Sequence, residues 1–376
     1  MKNIRNILRI VAILTICTQA KSMINIGDNA ELFLTGAVAI RLDNNIFLNA
    51  ANEESDTIWA VTPGLDLVFG KGSATTGNLY FKEEIRRYSD FDALNISLAD
   101  VGFNSRYDNG KSKVSIRARY LEQQQNDNGI IATGTIVERD TTSLGFNAET
   151  DISEKTNVGF GLTYDKTKFG VNSYIDNDTW GIPIDIYHEM SPKLDLSLGY
   201  RYQSYTLRVG DSKSHFFNVG ARGEFTPKLN GQLRIGYSKR HFERARADES
   251  VLGINSSLTY SYSEKTYYQI TISNDFGNGP GGEPTKGFGL AVGLNSQMTQ
   301  QWILTAYLQY RAIDYGGIGA VLPRSDKFLE GQVGIVYQVN TYCNLQVAYM
   351  HRNNNSDLAI ADYSNNLFTI GANFRY

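Results

Sequence analysis

The chain has 376 residues with 35 Gly, 23 Tyr, 7 Pro and 3 Trp, a net charge of -3 and a mean hydropathy of -0.31. This polar, Gly- and Tyr-rich composition lacks the Ala, Leu and Glu enrichment of helical or α/β enzymes and favours a β-rich fold. The small negative charge excludes a basic nucleic-acid surface, and no apolar run outside the first residues approaches the roughly 20 residues that a membrane helix needs. A membrane-spanning β-barrel passes these tests.

The first 22 residues have the parts of a secretory signal peptide. A basic start is followed by a short apolar core over residues 10–17 and by small residues near Ala20 or Ser22. The alternative, a retained membrane anchor, is disfavoured because the apolar core is too short to span a bilayer. The sequence therefore predicts a signal peptide over residues 1–22 and an exported barrel over residues 23–376.

The two cysteines indicate a protein without disulfides. Cys17 lies inside the predicted signal peptide, and the bulky Ile16 before it does not fit a lipoprotein cleavage site. Cys343 is then the lone cysteine of the exported chain, and a lone thiol forms no internal disulfide. The exported protein is therefore expected to hold together without cysteine cross-links.

A turn signal recurs about every 37 residues in the middle of the chain. It is a tripeptide that begins with Ser or Thr and ends with Lys, at residues 153–155, 191–193, 226–228 and 263–265. Alternating apolar residues flank each tripeptide, as at Phe217, Val219 and Ala221 before the third one. Each tripeptide is therefore predicted to be a tight hairpin turn between two strands of roughly 10 to 14 residues.

Weaker versions of the short turn extend the series toward both ends of the chain, at residues 70–72, 108–111, 298–300 and 340–342. The connections on the opposite side are longer and rich in loop-forming residues, at residues 123–140, 169–178, 276–286, 315–326 and 353–364. One strand before the first turn and one after the last loop bring the total to about 18, with 16–18 as the expected range. Both termini then lie on the short-turn side.

This alternation of short turns, long loops and strands is typical of a transmembrane antiparallel up-and-down β-barrel. The alternative, a water-soluble sandwich, predicts shorter strands and no asymmetry between turns and loops. It would also need other elements to cover the apolar face of nearly every strand, whereas lipid covers all of these faces in a barrel. We therefore predict an all-β barrel in the bacterial outer membrane.

Alternation along each strand assigns side chains to the lipid or to the lumen. After the second tripeptide, Leu194, Leu196 and Leu198 fall on one face, while Asp195 and Arg201 fall on the other. The same rule predicts the lumen-facing candidates Arg201, Arg222, Glu224, Arg234, Arg240, Arg311, Glu330, Arg352, Arg375 and Asp195. It also predicts inward positions for Arg41, Arg117, Arg119, Asp66 and Glu149.

Inward arginines outnumber inward carboxylates in this prediction, and two interpretations stay open. Basic side chains around a pore favour anions and bind carboxylate or phosphate through paired hydrogen bonds, so an anionic solute or polysaccharide would be a natural partner. Alternatively, the arginines pair with carboxylates from wall to wall and rigidify the barrel. Reversal potentials that revealed cation preference would exclude the first interpretation.

The last strand ends in alternating apolar residues, with Phe374 and Tyr376 at the terminus. It resembles the C-terminal insertion signal of bacterial outer-membrane proteins, with Tyr in place of the commoner Phe. The resemblance implies that the barrel assembly machinery is a partner of the chain. Outer-membrane lipid and lipopolysaccharide are the other expected partners, and no nucleic acid is expected.

Two further stretches resemble one family of barrels. Residues 41–48 (RLDNNIFL), followed by residues 56–67 (DTIWAVTPGLDL), are similar to the start of the putative beta-barrel porin 2 family. The strand at residues 198–202 (LGYRY), after its Ser-Pro-Lys turn, resembles the same family. The resemblance covers the whole mature chain and implies an outer-membrane barrel that in many bacteria accompanies exopolysaccharide or capsule biosynthesis and export.

The search for catalytic motifs is negative. Residues 277–282 satisfy G-x-G-x-x-G, but prolines follow and no helix does, so a flexible external loop is predicted in place of a dinucleotide site. The four histidines lie on separate strands without metal-ligand spacing, and residues 176–178 are interpreted as a solvated loop. We predict no enzyme, no cofactor and no bound metal, with an active site assembled from distant strands as the alternative.

The leading functional prediction is a porin-like passive channel, associated through the family resemblance with exopolysaccharide or capsule export. The alternative is a plugged structural or glycan-anchoring barrel without open-channel activity. An inward-pointing segment such as residues 129–137, with its apolar IIATGTIV, would favour the alternative. The transported substrate, the openness of the lumen and the oligomeric state stay open at this stage.

Overall fold

The computed structural model describes residues 23–124, 126, 129, 135–243, 246–317 and 322–376. The predicted signal peptide, residues 1–22, lies outside the described residues. The strands are β1 (Met23–Ile26), β2 (Ala30–Asp43), β3 (Asp56–Phe69), β4 (Thr75–Tyr88), β5 (Ile96–Asp108), β6 (Ser112–Gln124), β7 (Glu138–Ser153), β8 (Thr156–Phe169), β9 (Asn177–Ser191), β10 (Leu194–Leu207), β11 (Ser212–Thr226), β12 (Leu229–Phe242), β13 (Glu249–Ser263), β14 (Thr266–Asn278), β15 (Pro284–Gln297), β16 (Trp302–Tyr315), β17 (Arg324–Gln338), β18 (Cys343–Ser356) and β19 (Tyr363–Arg375).

Every strand from β2 to β19 pairs antiparallel with its neighbours in sequence. The sheet closes on itself because β19 pairs with β2, from Leu367↔Asp43 to Arg375↔Thr35. Among the described residues this makes a closed barrel of 18 strands, which confirms the predicted architecture. The helical segments are two 3-10 turns, Asp92–Leu94 and Ala359–Ala361. No helix among the described residues is long and apolar enough to span a bilayer.

The short strand β1 was not predicted from the sequence, and it extends the seam between the first and last barrel strands. Tyr376 exchanges two backbone hydrogen bonds of 2.9 Å with Leu34. On the same edge of β2, the next residue, Phe33, pairs with Met23 of β1. β1 therefore continues the ladder of β19 beyond the C-terminus and covers backbone groups of β2 that would otherwise be unpaired at the seam.

The tripeptide turns form as predicted, and the first residue of the tripeptide explains their recurrence. The hydroxyl oxygens of Ser191, Thr226 and Ser263 each accept a hydrogen bond, of 3.3–3.4 Å, from the backbone N–H of the lysine two residues later. Such a local bond holds the chain in a tight turn. A register shift precedes three of the turns, between 151 and 153, 224 and 226, and 261 and 263.

The five long connections at the other end are shorter than predicted, because strands extend into each of them. The segment 276–286, expected to be a flexible external loop, is mostly strand, because β14 runs to Asn278 and β15 begins at Pro284. The remaining five residues form a hydrogen-bonded turn, with the N–H of Gly279 donating to the carbonyl of Glu283 at 2.7 Å. Gly282 has a φ of 80°, which favours glycine. The connection between β10 and β11, residues 208–211, has the length of a short turn.

The two faces of the sheet differ as the alternation rule predicts. Outward side chains such as Leu198, Phe217 and Leu252 are about 60% exposed, the position that lipid would occupy. The opposite face carries most of the charged side chains. Side chains on this face meet across several strands, as Arg222 of β11 meets Glu149 of β7. Only the concave side of a closed sheet permits such contacts, so this face lines the interior.

Candidate functional site

Loop residues pack into the interior of the barrel at the end that carries the long loops. The connection between β2 and β3, residues 44–55, is named here the inward loop. Its residues Asn45, Ile46, Phe47 and Leu48 are all buried, whereas residues 50–55 are exposed. An apolar stretch in a loop is buried only if the loop folds against other parts of the molecule, so this segment turns into the barrel mouth.

Apolar contacts hold the inward loop against strands on both sides of β2, the strand that precedes it. Ile46 and Phe47 pack with Ile58 of β3 and Tyr88 of β4, and the rings of Phe47 and Phe91 meet edge to face with centroids 5.3 Å apart. On the other side, Leu48 packs against Phe328 and Tyr363, which lie on β17 and β19.

Hydrogen bonds from buried amides hold the same loop. The side-chain amide of Asn45 donates to the carbonyls of Asn49 at 2.9 Å and Ser364 at 3.0 Å. The amide of Asn365 on β19 donates in turn to the carboxylate of Asp43 and to the carbonyl of Asn45. Buried amides are stabilising when their donors and acceptors are paired, and these bonds tie the loop to the wall of the barrel.

Leu48 has a left-handed backbone conformation, with a φ of 54°. This region is uncommon for a bulky residue and costs on the order of 1–3 kcal/mol unless surrounding contacts enforce it. The contacts with Phe328 and Tyr363 supply that enforcement. The fold therefore holds the inward loop in a strained conformation to direct an apolar side chain into the mouth.

The connection between β6 and β7 packs against the inward loop. The amide of Asn126 donates to the carbonyl of Phe47 at 3.0 Å and to that of Thr135 at 2.7 Å, and its oxygen accepts from the N–H of Val137. The guanidinium of Arg324 on β17 donates to the carbonyl of Gly129 at 3.3 Å. Of the predicted inward segment 129–137, residues 130–134 lie outside the described residues, and the described members are in contact with the barrel mouth.

Three further connections meet one another at the long-loop end, namely β8 to β9, β10 to β11 and β14 to β15. The N–H of Ile175, between β8 and β9, donates to the carbonyl of Pro280, between β14 and β15, at 2.8 Å. A Cβ placed on Gly282 would lie 2.8 Å from the side chain of Val209 and 3.2 Å from that of Ile175. The connections at residues 170–176, 208–211 and 279–283 are therefore in close contact at the long-loop end of the barrel.

Glu283 is a buried acid within this group of loops. It is 2% exposed, and burial raises the pKa of its carboxyl, while the nearby Arg324 acts in the opposite direction. Its Oε2 has no hydrogen-bond partner among the described residues. A raised pKa in the folded state means that this carboxyl favours folding below its ordinary pKa and loses that contribution as the pH rises through the folded value.

We therefore expect the packing of the long loops to weaken as the pH rises from about 4.5, the ordinary range of a glutamate pKa, toward neutrality. Thermal unfolding of the refolded barrel between acid and neutral pH checks this, with Glu283→Gln as the comparison. The wild-type melting temperature should fall relative to that of the variant as the pH rises. Parallel profiles of the two proteins would contradict the expectation.

The interior arginines are mostly engaged with carboxylates. Among the residues that the structure describes, six of the ten arginines placed inward by sequence form ion pairs, namely Arg41–Glu84, Arg119–Asp100, Arg201–Asp275, Arg222 with Glu149 and Asp195, Arg234–Asp185 and Arg375–Asp66. Sequence reasoning missed several of these acids, although Asp185 and Asp275 have the same inward alternation as their partners. These contacts favour the interpretation of a wall-to-wall network.

Arg222 is the centre of the largest of these groups. Its two Nη atoms donate to the carboxylate of Glu149 at 2.6 and 2.7 Å, and its Nε donates to Asp195 at 2.9 Å. The guanidinium also lies over the ring of Tyr187, 3.4 Å from the centroid. Paired hydrogen bonds to a carboxylate are strong and directional, so Arg222 connects β7, β10 and β11.

The other inward candidates have varied partners. Arg240 is 1% exposed, and it donates to the Ser212 hydroxyl and to the carbonyl of Gly277. Arg352 donates to Asn365, and Arg311 lies over the ring of Phe328. Glu224 pairs with Lys193 at the short-turn end, while Glu330 lies opposite Arg352 in the sheet register.

The half of the interior nearer the short turns contains open space. A cavity of about 640 Å³ lies along β4 to β8 and is bordered by Arg106, Arg117, Arg119, Asp165 and neighbouring polar and apolar residues. A second cavity of about 440 Å³ shares Arg106, Ser115 and Asn147 with the first. A third cavity, of about 330 Å³, lies nearer the long loops and is bordered by Glu84, Arg86, Leu98 and Gln124. The larger cavities therefore lie toward the short-turn end.

The histidines and acidic loop residues considered as ligands have ordinary partners. His188 meets the Thr156 hydroxyl at 3.1 Å, His215 meets Tyr200 at 2.8 Å, and the carboxylate of Asp176 accepts the N–H of Phe169. Within the described ranges, no group of three or more His, Cys, Asp or Glu side chains is arranged to hold a metal ion.

One known protein family matches most of the chain. The family described as Putative beta-barrel porin 2 matches residues 35–376. The chain belongs to this family. It is therefore an outer-membrane β-barrel, porin-like protein, and the resemblance noted from the sequence is confirmed. No curated protein sequence matches the chain.

Solved outer-membrane barrels are similar to the chain at low identity. OccAB4 of Acinetobacter baumannii is 12% identical, with coverage of 94% of this chain and 100% of that one and a TM-score of 0.48. OccK5 (OpdH) of Pseudomonas aeruginosa is 12% identical, with coverage of 93% and 99% and a TM-score of 0.49. The siderophore receptor PirA from Pseudomonas aeruginosa is 10% identical, with coverage of 95% and 81% and a TM-score of 0.45. At scores this low, the likeness says nothing about what this barrel transports.

Proposed function

We propose that this porin-like barrel is a transport channel that its own loops close at the long-loop end, so that solutes cross only when the inward loop moves. The observation that carries the proposal is the burial of Phe47 and Leu48 in the barrel mouth, against elements on both sides of their own strands. Long loops of outer-membrane barrels face the exterior and short turns face the periplasm. The closure would then lie at the outer surface and the open space would face the periplasm.

The closed mouth reconciles the two functional predictions made from the sequence. An interior that was packed along its whole length would favour a purely structural or glycan-anchoring barrel. Here the exposed arginines and the cavities of the short-turn half favour transport, because side chains with no transport role would fill that space. Single-channel recordings test the proposal, and the decisive variants are described in the Discussion.

The solute is proposed to be anionic, in line with the partner expected from the sequence. The cations Arg106, Lys113 and Arg117 are exposed on the interior face of β5 and β6. An association with exopolysaccharide or capsule export, which the family resemblance implies, would supply such a solute. If the reversal potential of an opened variant in a salt gradient indicates cation preference, the anionic solute is excluded.

The C-terminal residues are proposed to direct assembly, as the likeness to the insertion signal implies. The ring of Tyr376 stacks on that of Tyr342 with centroids 5.7 Å apart, and its backbone pairs with Leu34. Tyr376→Phe should keep normal amounts of barrel in the outer membrane of expressing cells. Tyr376→Ala should reduce them several-fold, while the purified variant still refolds into detergent. Equal amounts of the two variants in the membrane would contradict the assembly role.

A further inference from the structure

The interior wall at the short-turn end carries a row of cations on one strand. Lys113, Ser115, Arg117 and Arg119 alternate along β6 and share its interior face, about 7 Å apart from one to the next. Arg106 of β5 lies in the adjacent row, opposite Ser115. All four cations are exposed, so they face space that water or a ligand can fill.

Only part of this positive charge is neutralised by the protein. Arg119 forms an ion pair with Asp100 at 2.9 Å. Arg106 forms one with Asp108 at 3.2 Å, in which the arginine side chain is 64% exposed and the aspartate side chain 35% exposed. An ion pair that exposed contributes little and exchanges readily with another anion. Within the described residues, neither Arg117 nor Lys113 has a carboxylate oxygen within 4.0 Å of its nitrogens. Arg117 is therefore the cation most available to a ligand.

The wall beside these cations carries polar side chains and a glycine, with Ile116 and Leu144 also on its border. The cavity of about 640 Å³ is bordered by Thr76, Asn104, Ser115, Ser143, Asn147 and Thr163. Its carboxylate, Asp165, already accepts a hydrogen bond from the Ser143 hydroxyl at 2.6 Å. Gly145 lies opposite Arg117 in the sheet. A Cβ on Gly145 would meet, among described atoms within 4 Å, only the Cβ of Arg117, at 3.9 Å.

These features fit a ligand that carries both carboxylates and many hydroxyls. Guanidinium groups bind carboxylates through two parallel hydrogen bonds, whereas the amides and hydroxyls of Asn104, Asn147 and Thr163 can donate to and accept from ligand hydroxyls. The glycine at position 145 leaves the space that such a chain would occupy next to Arg117.

We propose that the groove formed by Arg106, Lys113, Arg117, Asn147 and Gly145 binds an acidic saccharide from the periplasmic side of the barrel. This inference rests on the proposed function for the direction of access and for the anionic class of solute. It adds a location in the wall and the chemistry of the ligand. Binding to the groove does not require the inward loop to open, so a failure of this inference can be distinguished from a failure of the proposed function.

Isothermal titration calorimetry of the full-length barrel in detergent tests the groove, with a galacturonate oligomer as the probe. A neutral glucose oligomer of equal length should not bind. Arg117→Gln should weaken galacturonate binding by about tenfold, the value of one charge-assisted pair of hydrogen bonds. Lys193→Gln removes the same charge from an exposed turn at the same end and should leave the affinity unchanged. Gly145→Leu fills the groove without any change in charge and should abolish binding.

Any of four results would overturn the proposal. Equal weakening by Arg117→Gln and Lys193→Gln, or unchanged binding in Gly145→Leu, would mean that the probe responds to overall charge and not to this groove. Equally tight binding of a glutamate oligomer, which has carboxylates without sugar hydroxyls, would exclude a saccharide as the ligand. Channel opening in the inward-loop variant, with no binding of galacturonate, would remove this inference and keep the proposed function.

Discussion

Replacement of Phe47 by Ser together with Leu48 by Gly is expected to convert a closed barrel into a conducting one. The two side chains pack against elements on both sides of the mouth, and each large-to-small change in such a cluster costs about 2–5 kcal/mol. Glycine at position 48 also relieves the left-handed strain that the fold imposes on leucine there. The loop should therefore leave the mouth while the barrel itself stays folded.

Planar-bilayer recordings give the readout for this variant. The wild-type protein should produce long silent periods, and the double variant should produce steps of nanosiemens size. Ala50→Ser together with Ala51→Ser changes the exposed part of the same loop and should behave as the wild type does. A folded, heat-modifiable double variant that remained silent would mean that the inward loop is not the barrier.

Substitution of Arg222 by Met is expected to destabilise the barrel wall. It removes the guanidinium that neutralises Glu149 and Asp195 and leaves two carboxylates facing each other in the interior. Loss of one partner from a fully buried pair costs about 3–5 kcal/mol; because the Arg222 side chain is 23% exposed, we expect about 2 kcal/mol. Arg222→Lys keeps the charge but loses the paired hydrogen bonds. Its unfolding free energy should lie between those of the wild type and Arg222→Met.

Urea unfolding of the barrel in lipid vesicles measures this difference. Lys193→Gln is the matched control, because it breaks a pair with Glu224 in which the lysine is 67% exposed, and such pairs contribute about 0–1 kcal/mol. Addition of Glu149→Gln to Arg222→Met should recover part of the lost stability, since it removes one of the unpaired charges. Equal unfolding free energies for Arg222→Met and Lys193→Gln would exclude the network as a stabilising device.

The sequence predicted the barrel well because the relevant signals are local. Strand alternation has a period of two residues, and a hydroxyl at Ser191, Thr226 or Ser263 closes its turn within two residues. Neither signal depends on distant parts of the chain. Strand number and face assignment could therefore be derived without tertiary information, whereas the short strand β1 lacks a repeat pattern and was missed.

The closure of the mouth could not be derived in the same way. Residues 46–48 are apolar and follow two asparagines, which is the one local sign of an unusual loop. The burial of Leu48 depends on Phe328 and Tyr363, about 280 and 315 residues further along the chain. The ion pairs could not be derived from the sequence for the same reason. Alternation assigns both Arg201 and Asp275 to the interior face, but their contact joins β10 to β14. Alternation gives the face of a residue and does not predict its partner on a distant strand.

In the proposed channel, the barrel interior is open to water at the short-turn end and closed by loops at the long-loop end. Reaction of single cysteines with a charged, membrane-impermeant thiol reagent tests it most directly, in a background in which Cys343 is replaced by Ser. Ser115→Cys borders the open cavity and should react in the folded barrel, whereas Ser238→Cys lies at a fully buried interior position and should react only after denaturation. Rapid reaction of the Ser238→Cys variant in the folded barrel would contradict the closure, and protection of the Ser115→Cys variant would contradict the open short-turn end.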